Sequence, residues 1–370
     1  MYGEIETMNT TNRLVPLVAA IAGVGVLSIG GALAADVSPA LQKVIEGAKK
    51  EGKIELSSGP RVLGSGTIEP DARAAIKAMY GVDLDFRFTP GPAMGAMGNK
   101  IRTEFRAGQK ASTDVWTAAA AQAEPMLAID MFVRPDWPSL LPGRITANVV
   151  EGDGRALRVT TGMPGILYNK QRAPEFAKIE RMDDLLKPEW KGKFATTPYA
   201  AGVDVLAGKS VWGEEKAIEY MRKLAPQVQG QLGCGGEDRI ASGEFLALAI
   251  DCIGAAHHYD QFKNILDLHV VSDNAQRRPY YILIPKNAPN PNAAILYSVF
   301  LSTPEGQKLQ AKHWGFDLYE YPDSQRRAEI NTLEKKGIKF RDITIDWWSE
   351  NEGIDKSHAK LIGALRSAAR

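Results

Sequence analysis

The residues with the most distinctive chemistry are two histidines followed by a tyrosine, His257, His258 and Tyr259. Neighbouring side chains of an extended segment point to opposite sides, so both imidazoles can reach one ligand only from a loop or a helix start. Fe³⁺ prefers phenolate and carboxylate oxygens, and it would use His258 and Tyr259 here, but two borderline imidazoles with one phenol suit it poorly. Imidazoles that hydrogen-bond an organic or phosphate-bearing anion fit better, and ordinary surface or core histidines are the alternative.

A second set of candidate residues follows the first predicted strand. Ser57, Ser58 and Gly59 offer hydroxyl and backbone N–H donors. The guanidinium of Arg61 can bind a carboxylate or a phosphate through two hydrogen bonds. Open α/β sheets bind ligands beyond the carboxyl ends of their strands, which favours a binding role over an ordinary Ser/Gly turn with Arg61 in solvent.

Other candidates lie where further predicted strands end. Thr89 and Gly91 precede a predicted helix, where backbone N–H groups can hold an anion, although the Pro-Gly sequence around them also makes a plain turn. A tryptophan that ends a strand can stack on a ligand or fill the core. The rest can line a cleft or simply connect elements. These remaining strand-end candidates are Trp116, Thr117, Thr197, Tyr199, Gly235 and Gly236.

Helices and strands alternate along the chain in a way that can bring these strand ends together. Ser38 and Pro39 begin a predicted helix that stops at Gly52, and residues 53–56 alternate like a strand. The same helix–strand unit recurs up to about residue 120. This order predicts an α/β fold with a parallel sheet covered by helices on both faces. The apolar residues 245–252 are predicted to form a buried strand, and residues 354–369 a helix.

Composition and charge describe an ordinary globular protein. The chain has 370 residues, 44% of them hydrophobic, with a net charge of +1. The length suggests two domains, and the near-neutral charge argues against a nucleic-acid partner. Residues 1–34 are predicted to be a secretory signal peptide cleaved near Ala34, because an apolar run after Arg13 ends in small residues; a membrane anchor is the alternative. We therefore expect a periplasmic protein.

The cysteines and the catalytic patterns narrow the chemistry further. Cys234 and Cys252 leave a disulfide and two separate thiols equally open, and no His or Cys stands at zinc-ligand spacing from them. The sequence lacks a Gly-x-Ser-x-Gly elbow, a phosphate-binding loop and a His-Glu-x-x-His pattern. We expect a binding protein that needs no cofactor, with a periplasmic enzyme as the alternative.

Several segments, taken in order along the chain, resemble one family. They are VIEGAKKEGKIELS at 44–57, YGVDLDF at 80–86, IRTEFRAGQKASTDV at 101–115, YN at 168–169, DLLKPEWKGKF at 184–194, SGE at 242–244 and STPEGQKL at 302–309. The ordered set is similar to the extracellular solute-binding proteins of the iron(III), thiamine, polyamine and phosphonate group, above all to their ferric-ion-binding branch. Members of that branch carry paired tyrosines near the position of residues 257–259, where this chain departs from them.

The resemblance implies the type II periplasmic-binding fold, with two α/β lobes, a two-stranded hinge and a ligand cleft. Residues 35–161 and 282–315 then form lobe 1, residues 162–281 form lobe 2, and residues 316–370 form a C-terminal helical tail. The implied protein is the periplasmic substrate-binding component of an ABC importer, which delivers a small anionic solute to a permease in the inner membrane. The alternatives are a ferric-ion or iron-complex binding protein and a ligand-presenting partner of a membrane sensor. We expect a monomer.

Overall fold

The computed structural model describes residues 37–59, 62–351 and 353–367. The predicted signal peptide and the candidate Arg61 lie outside these residues. The helices are α1 (Pro39–Glu51), α2 (Glu69–Tyr80), α3 (Met94–Arg106), α4 (Ala120–Leu127), α5 (Trp137–Leu140), α6 (Glu214–Leu224), α7 (Glu237–Ala241), α8 (Pro291–Ser302), α9 (Pro304–Trp314), α10 (Gln325–Lys335), α11 (Ile345–Glu350) and α12 (Ile354–Ser367).

Twelve strands complete the described elements. They are β1 (Lys53–Ser58), β2 (Asp85–Pro90), β3 (Trp116–Ala119), β4 (Val150–Glu151), β5 (Ala156–Gly162), β6 (Ile166–Asn169), β7 (Phe194–Thr196), β8 (Gly230–Gln231), β9 (Ala247–Leu248), β10 (Leu266–His269), β11 (Gln276–Leu283) and β12 (Arg341–Asp342). Short 3-10 turns connect them, among them Val62–Gly64 and Ala256–His258.

Helix α1 shows how the local sequence sets an element. The Ser38 hydroxyl accepts a hydrogen bond from the Leu41 N–H at 3.1 Å, and Pro39 occupies the first turn. The helix ends at Gly52, whose φ of 66° lies in the left-handed region that glycine adopts without strain. Its buried face packs against α8 and leads directly into β1. The predicted start and end of this first helix are confirmed.

The strands form two groups. In the first group, β1 pairs in parallel with β2, and Leu56 forms a parallel bridge with Val115 beside β3. Strand β11 pairs with β3 and β5, and β5 pairs with β4, all antiparallel. The second group is a five-stranded sheet in the order β10-β6-β9-β7-β8. The chain crosses between the groups twice, from β5 to β6 and from β10 to β11, as the predicted hinge requires.

The C-terminal residues are built into these groups. Strand β12 pairs in parallel with the start of β11, α11 packs on α4, and α12 packs on α6. Residues 316–370, predicted as a helical tail, therefore contribute a strand as well as three helices. The predicted lobe boundary between residues 281 and 282 falls inside β11.

Two local predictions differ from the structure. Within residues 245–252 only Ala247–Leu248 is a strand, because the chain turns at Asp251, whose carboxylate accepts the N–H groups of Ile253 and Gly254. Helix α8 was expected to be amphipathic, but it is buried on nearly every side because it packs against α1, α9 and β5. None of the helices in the described part of the chain is long and apolar enough to cross a membrane.

Candidate functional site

The hydroxyl groups predicted at the end of β1 meet in the structure. Ser57, Ser58 and Thr117 border a small cavity in the first sheet, together with Ser65. Three of these four residues were candidates from the sequence. Ser65 was missed because the Gly-Ser-Gly segment around it shows no pattern that distinguishes it from a turn. We call these four residues the hydroxyl group.

Helix α3 begins beside this group. The parallel pairing of β1 and β2 places Thr89 opposite Ser57, so both strands end at the same edge. Gly91 lies so close that a Cβ there would stand 2.5 Å from the Ser57 Oγ. Ala93 then caps α3 without a side-chain hydrogen bond, and the first turn of α3 carries no acidic residue. The structure therefore brings Thr89 and Gly91 together with the hydroxyl group, next to a positive helix end.

Trp116 lies in the core. Its side chain is almost completely buried, its ring stacks on Phe132 with centroids 5.7 Å apart, and its Nε1 donates to the Met94 carbonyl at 3.0 Å. These contacts fit the core alternative for this residue, in which the indole supports the start of α3.

Tyr199 presents its ring to solvent after β7. The Thr197 hydroxyl accepts from the Ala201 N–H at 2.8 Å and closes a tight turn in which Ala200 has a φ of 53°. A non-glycine residue in this region is strained, and such strain is concentrated at functional positions. The Tyr199 hydroxyl accepts from the Cys234 N–H at 2.7 Å, and its carbonyl accepts from His358 at 2.7 Å. Three segments thus fix an exposed aromatic ring.

A disulfide between Cys234 and Cys252 joins the loops that follow β8 and β9. This resolves the alternatives that the sequence left open. In the first of these loops the Gly235 N–H donates to the Glu237 carboxylate at 3.0 Å, and the Gly236 N–H donates to the Gly233 carbonyl at 3.1 Å. Both candidate N–H donors already have partners within their own loop.

The two histidines share one carboxylate. The 3-10 turn Ala256–His258 stacks the rings of His257 and His258 with centroids 3.8 Å apart. Their Nε2 atoms lie 3.1 and 3.4 Å from the two oxygens of Glu329, in α10. A turn was the geometry that the sequence required for both imidazoles to reach one partner. Glu329 was missed because it lies about 70 residues further along the chain, outside the predicted lobes.

The electrostatics of this contact follow from burial and from Arg326. Burial alone would raise the pKa of Glu329, but the Arg326 guanidinium and the two histidines hold it well below its usual range. Burial lowers the pKa of His257, which favours its neutral imidazole. The Arg326 side chain is fully buried, with its Nη1 2.7 Å from Glu329 Oε2 and its Nη2 2.7 Å from the Gly254 carbonyl. Glu329 is therefore an ionised carboxylate in a fixed position.

Tyr259 points from the same turn towards α9. Its hydroxyl donates to the Trp314 carbonyl at 3.2 Å. Its ring lies against Gly315, where a Cβ would stand 3.0 Å from the ring. The turn is thus connected both to α10 and to the end of α9.

A cavity of about 380 Å³ opens beside this turn. One wall comes from residues 258–261 and the other from Thr67 and residues 311–313. Asp71 accepts from Lys312 Nζ at 2.6 Å and pairs with His313 Nε2 at 2.8 Å, and these two partners lower its pKa. The loop at residues 62–68 borders both this cavity and the hydroxyl group, so the two are neighbours. A further cavity of about 490 Å³ lies among residues 177–180, 269–272 and 336–338.

Solved structures support the predicted fold. A putative spermidine/putrescine ABC transporter protein from Listeria monocytogenes superposes with a TM-score of 0.62 at 14% identity, covering 85% of this chain and 99% of its own. Apo ferric ion-binding protein A from Pasteurella haemolytica gives 0.60 at 16% identity, with 86% and 98% covered. A periplasmic thiamin-binding protein gives 0.64 at 12% identity, with 86% and 96% covered. The two-lobed type II periplasmic-binding fold is confirmed.

The family follows from the sequence comparison. A search of curated proteins returned no match. A family profile described as bacterial extracellular solute-binding protein matches residues 71–318, which is more than half of the chain. This protein therefore belongs to the bacterial extracellular solute-binding family.

Proposed function

We propose that this protein is the substrate-binding component of an ABC importer, and that it encloses a small anionic solute in the 380 Å³ cavity between α9 and residues 258–261. Contacts from both walls favour a closed form, which opens and closes by bending at the two crossings between the strand groups. The signal peptide predicted at residues 1–34 would export the protein to the periplasm, where it delivers its solute to an inner-membrane permease. Membership of a solute-binding family supports binding rather than catalysis.

The cavity itself carries the proposal. Its volume falls within the range of about 300–1,000 Å³ that is typical of small-molecule sites. Its walls present the Lys312 ammonium, the imidazoles of His258 and His313, and the Thr67 hydroxyl, which are donors for carboxylate or phosphate oxygens. The neighbouring hydroxyl group offers further donors to a larger solute.

The acidic residues nearby support an anion over a polyamine or thiamine-like cation. Asp204 is buried and makes two hydrogen bonds of 3.0 Å with Arg278. Asp260 lines the cavity but pairs with Lys263 at 2.8 Å. A cationic solute needs free carboxylates or aromatic walls, and these two carboxylates already have cationic partners.

The contacts of Tyr259 support a hydrogen-bonded anion over bare Fe³⁺. A phenolate ligand has lost its proton, whereas the Tyr259 hydroxyl donates its proton to the Trp314 carbonyl. Iron could replace that bond only by moving the ring away from Gly315. The iron alternative is therefore an outcome of the experiment and not the proposal.

The test is a thermal-shift screen, followed by calorimetric titration, of the mature protein from Ala35 onward in chelator-treated buffer. The screen compares carboxylates, phosphonates and sugar phosphates with polyamines, thiamine and ferric citrate. A solute at one hundred times its Kd stabilises the folded state by about 2.7 kcal/mol, which is a clear shift in Tm. Stabilisation by anions supports the proposal. Stabilisation only by cations would show that the solute class is wrong.

A pair of lysines on α9 localises the site. Lys312 lines the cavity, whereas Lys308 lies one turn earlier, is 75% exposed and pairs with Glu305. Lys312→Ala should weaken anion binding by roughly tenfold, the value of one charge-assisted hydrogen bond, and Lys308→Ala should not. Equal affinities in the two variants would place the solute elsewhere.

A further inference from the structure

We propose that His257, His258 and Glu329 form a binding site for a late first-row divalent ion such as Zn²⁺, Ni²⁺ or Cu²⁺. The site does not depend on the anion hypothesis, because its ligand atoms lie in the turn and in α10. It would connect the C-terminal segment of the chain to the wall of the cavity.

The spacing of the ligand atoms supports the site. The two Nε2 atoms lie 3.1 and 3.4 Å from Glu329 oxygens, and one atom from each of the three residues falls within 4.8 Å of the others. Neighbouring ligands of a tetrahedral ion with bonds of 2.0–2.1 Å stand about 3.3 Å apart. The described arrangement therefore needs only a small adjustment to place an ion between the three atoms.

The surrounding contacts fix the third ligand. Arg326 occupies Glu329 Oε2 and the Gly254 carbonyl, and its guanidinium packs over the Phe316 ring. Glu329 Oε1 remains directed at His257. We therefore expect the carboxylate to bind through one oxygen. Outer contacts of this kind orient ligands at metal sites, although the positive charge of Arg326 also reduces the affinity for a cation.

The donor set selects the class of ion. Two imidazoles and one carboxylate suit Zn²⁺, Ni²⁺ and Cu²⁺, whereas Ca²⁺ and Mg²⁺ prefer a complete set of oxygen ligands. His258 is 42% exposed and lines the cavity, which gives an ion a route of entry and leaves a position for water.

The site belongs to this chain's own C-terminal segment. The family profile ends at residue 318, and Glu329 lies beyond it in α10. An ion held by both elements would tie α10 to the turn at residues 256–258. Metal binding should therefore raise the Tm of the protein.

The experiment uses untagged mature protein that has been stripped of metal with a chelator. Zn²⁺ and Ni²⁺ are titrated by calorimetry without any solute, and Co²⁺ is added to record its ligand-field absorption. We expect one ion per chain and a raised Tm. His258→Ala and Glu329→Gln should each lower the affinity by more than about tenfold, because even changes outside the ligand set cost 10–100-fold at metal sites.

His313→Ala is the matched control, since His313 lines the same cavity but pairs with Asp71 and Thr67. It should bind the metal ions as the parent does. No binding by the parent, or an unchanged affinity in both His258→Ala and Glu329→Gln, would overturn the site. His258 is half exposed, so its variant should stay folded, and its Tm without metal verifies this. Anion titrations in chelated buffer test the proposed function separately.

Discussion

The hydroxyl group and the histidine pair are built in different ways. The hydroxyl group is neutral, and Ser57, Thr117 and their neighbours come from adjacent strands of one sheet. The histidine pair depends on an ionised carboxylate supplied by α10, about 70 residues away along the chain. Strand order alone places the first group, whereas the second needs a buried arginine to hold its partner. We therefore expect them to fail in different ways when they are mutated.

The largest expected effect is on the histidine side. Arg326→Ala removes a fully buried cation and leaves the Glu329 carboxylate and the Gly254 carbonyl without their partner. Breaking a buried ion pair on one side costs about 3–5 kcal/mol. Urea unfolding should show this loss. Arg327→Ala, at the next position of α10, should cost much less, and equal losses would contradict the role assigned to Arg326.

On the hydroxyl side the expected effect is steric and smaller. Gly91→Ala places a Cβ 2.5 Å from Ser57 Oγ and 3.1 Å from the Ser58 nitrogen, so the strand end must shift. Overpacking of this kind costs about 1–3 kcal/mol. Gly95→Ala is the control, because its Cβ would meet only Gln122 at 3.8 Å and it lies in the first turn of α3. We expect Gly95→Ala to be neutral or slightly stabilising in urea unfolding.

The smallest expected effect concerns the cavity between the two regions. Asp71→Asn removes the negative partner of Lys312 and His313 and frees their donors for a solute. A partly exposed ion pair is worth about 0–1 kcal/mol, so anion binding should tighten by up to about fivefold in calorimetry. Weaker anion binding in this variant, with an unchanged Tm, would argue against an anionic solute at Lys312.

Much of the fold was accessible from the sequence because it depends on short-range rules. Ser38, Pro39 and Gly52 define α1, and the order of helices and strands predicts where Ser57 and Thr89 meet. The requirement for a turn at residues 257–258 also followed from the geometry of adjacent side chains.

What the sequence could not provide depends on long-range packing. Nothing near Glu329 marks it as the partner of His257, since that contact forms only when α10 packs on the turn. The disulfide between Cys234 and Cys252 could not be distinguished from two thiols until the loops after β8 and β9 were placed. Ser65 joins the hydroxyl group through a loop whose course no local pattern defines.

The central claim is that a solute is enclosed between two walls that close around it. The most direct measurement is small-angle X-ray scattering of the mature protein, with and without a saturating amount of the anion that gives the largest thermal shift. We predict a smaller radius of gyration when the anion is bound, and no change for Lys312→Ala at the same concentration. An unchanged radius of gyration at proven saturation would contradict capture by closure.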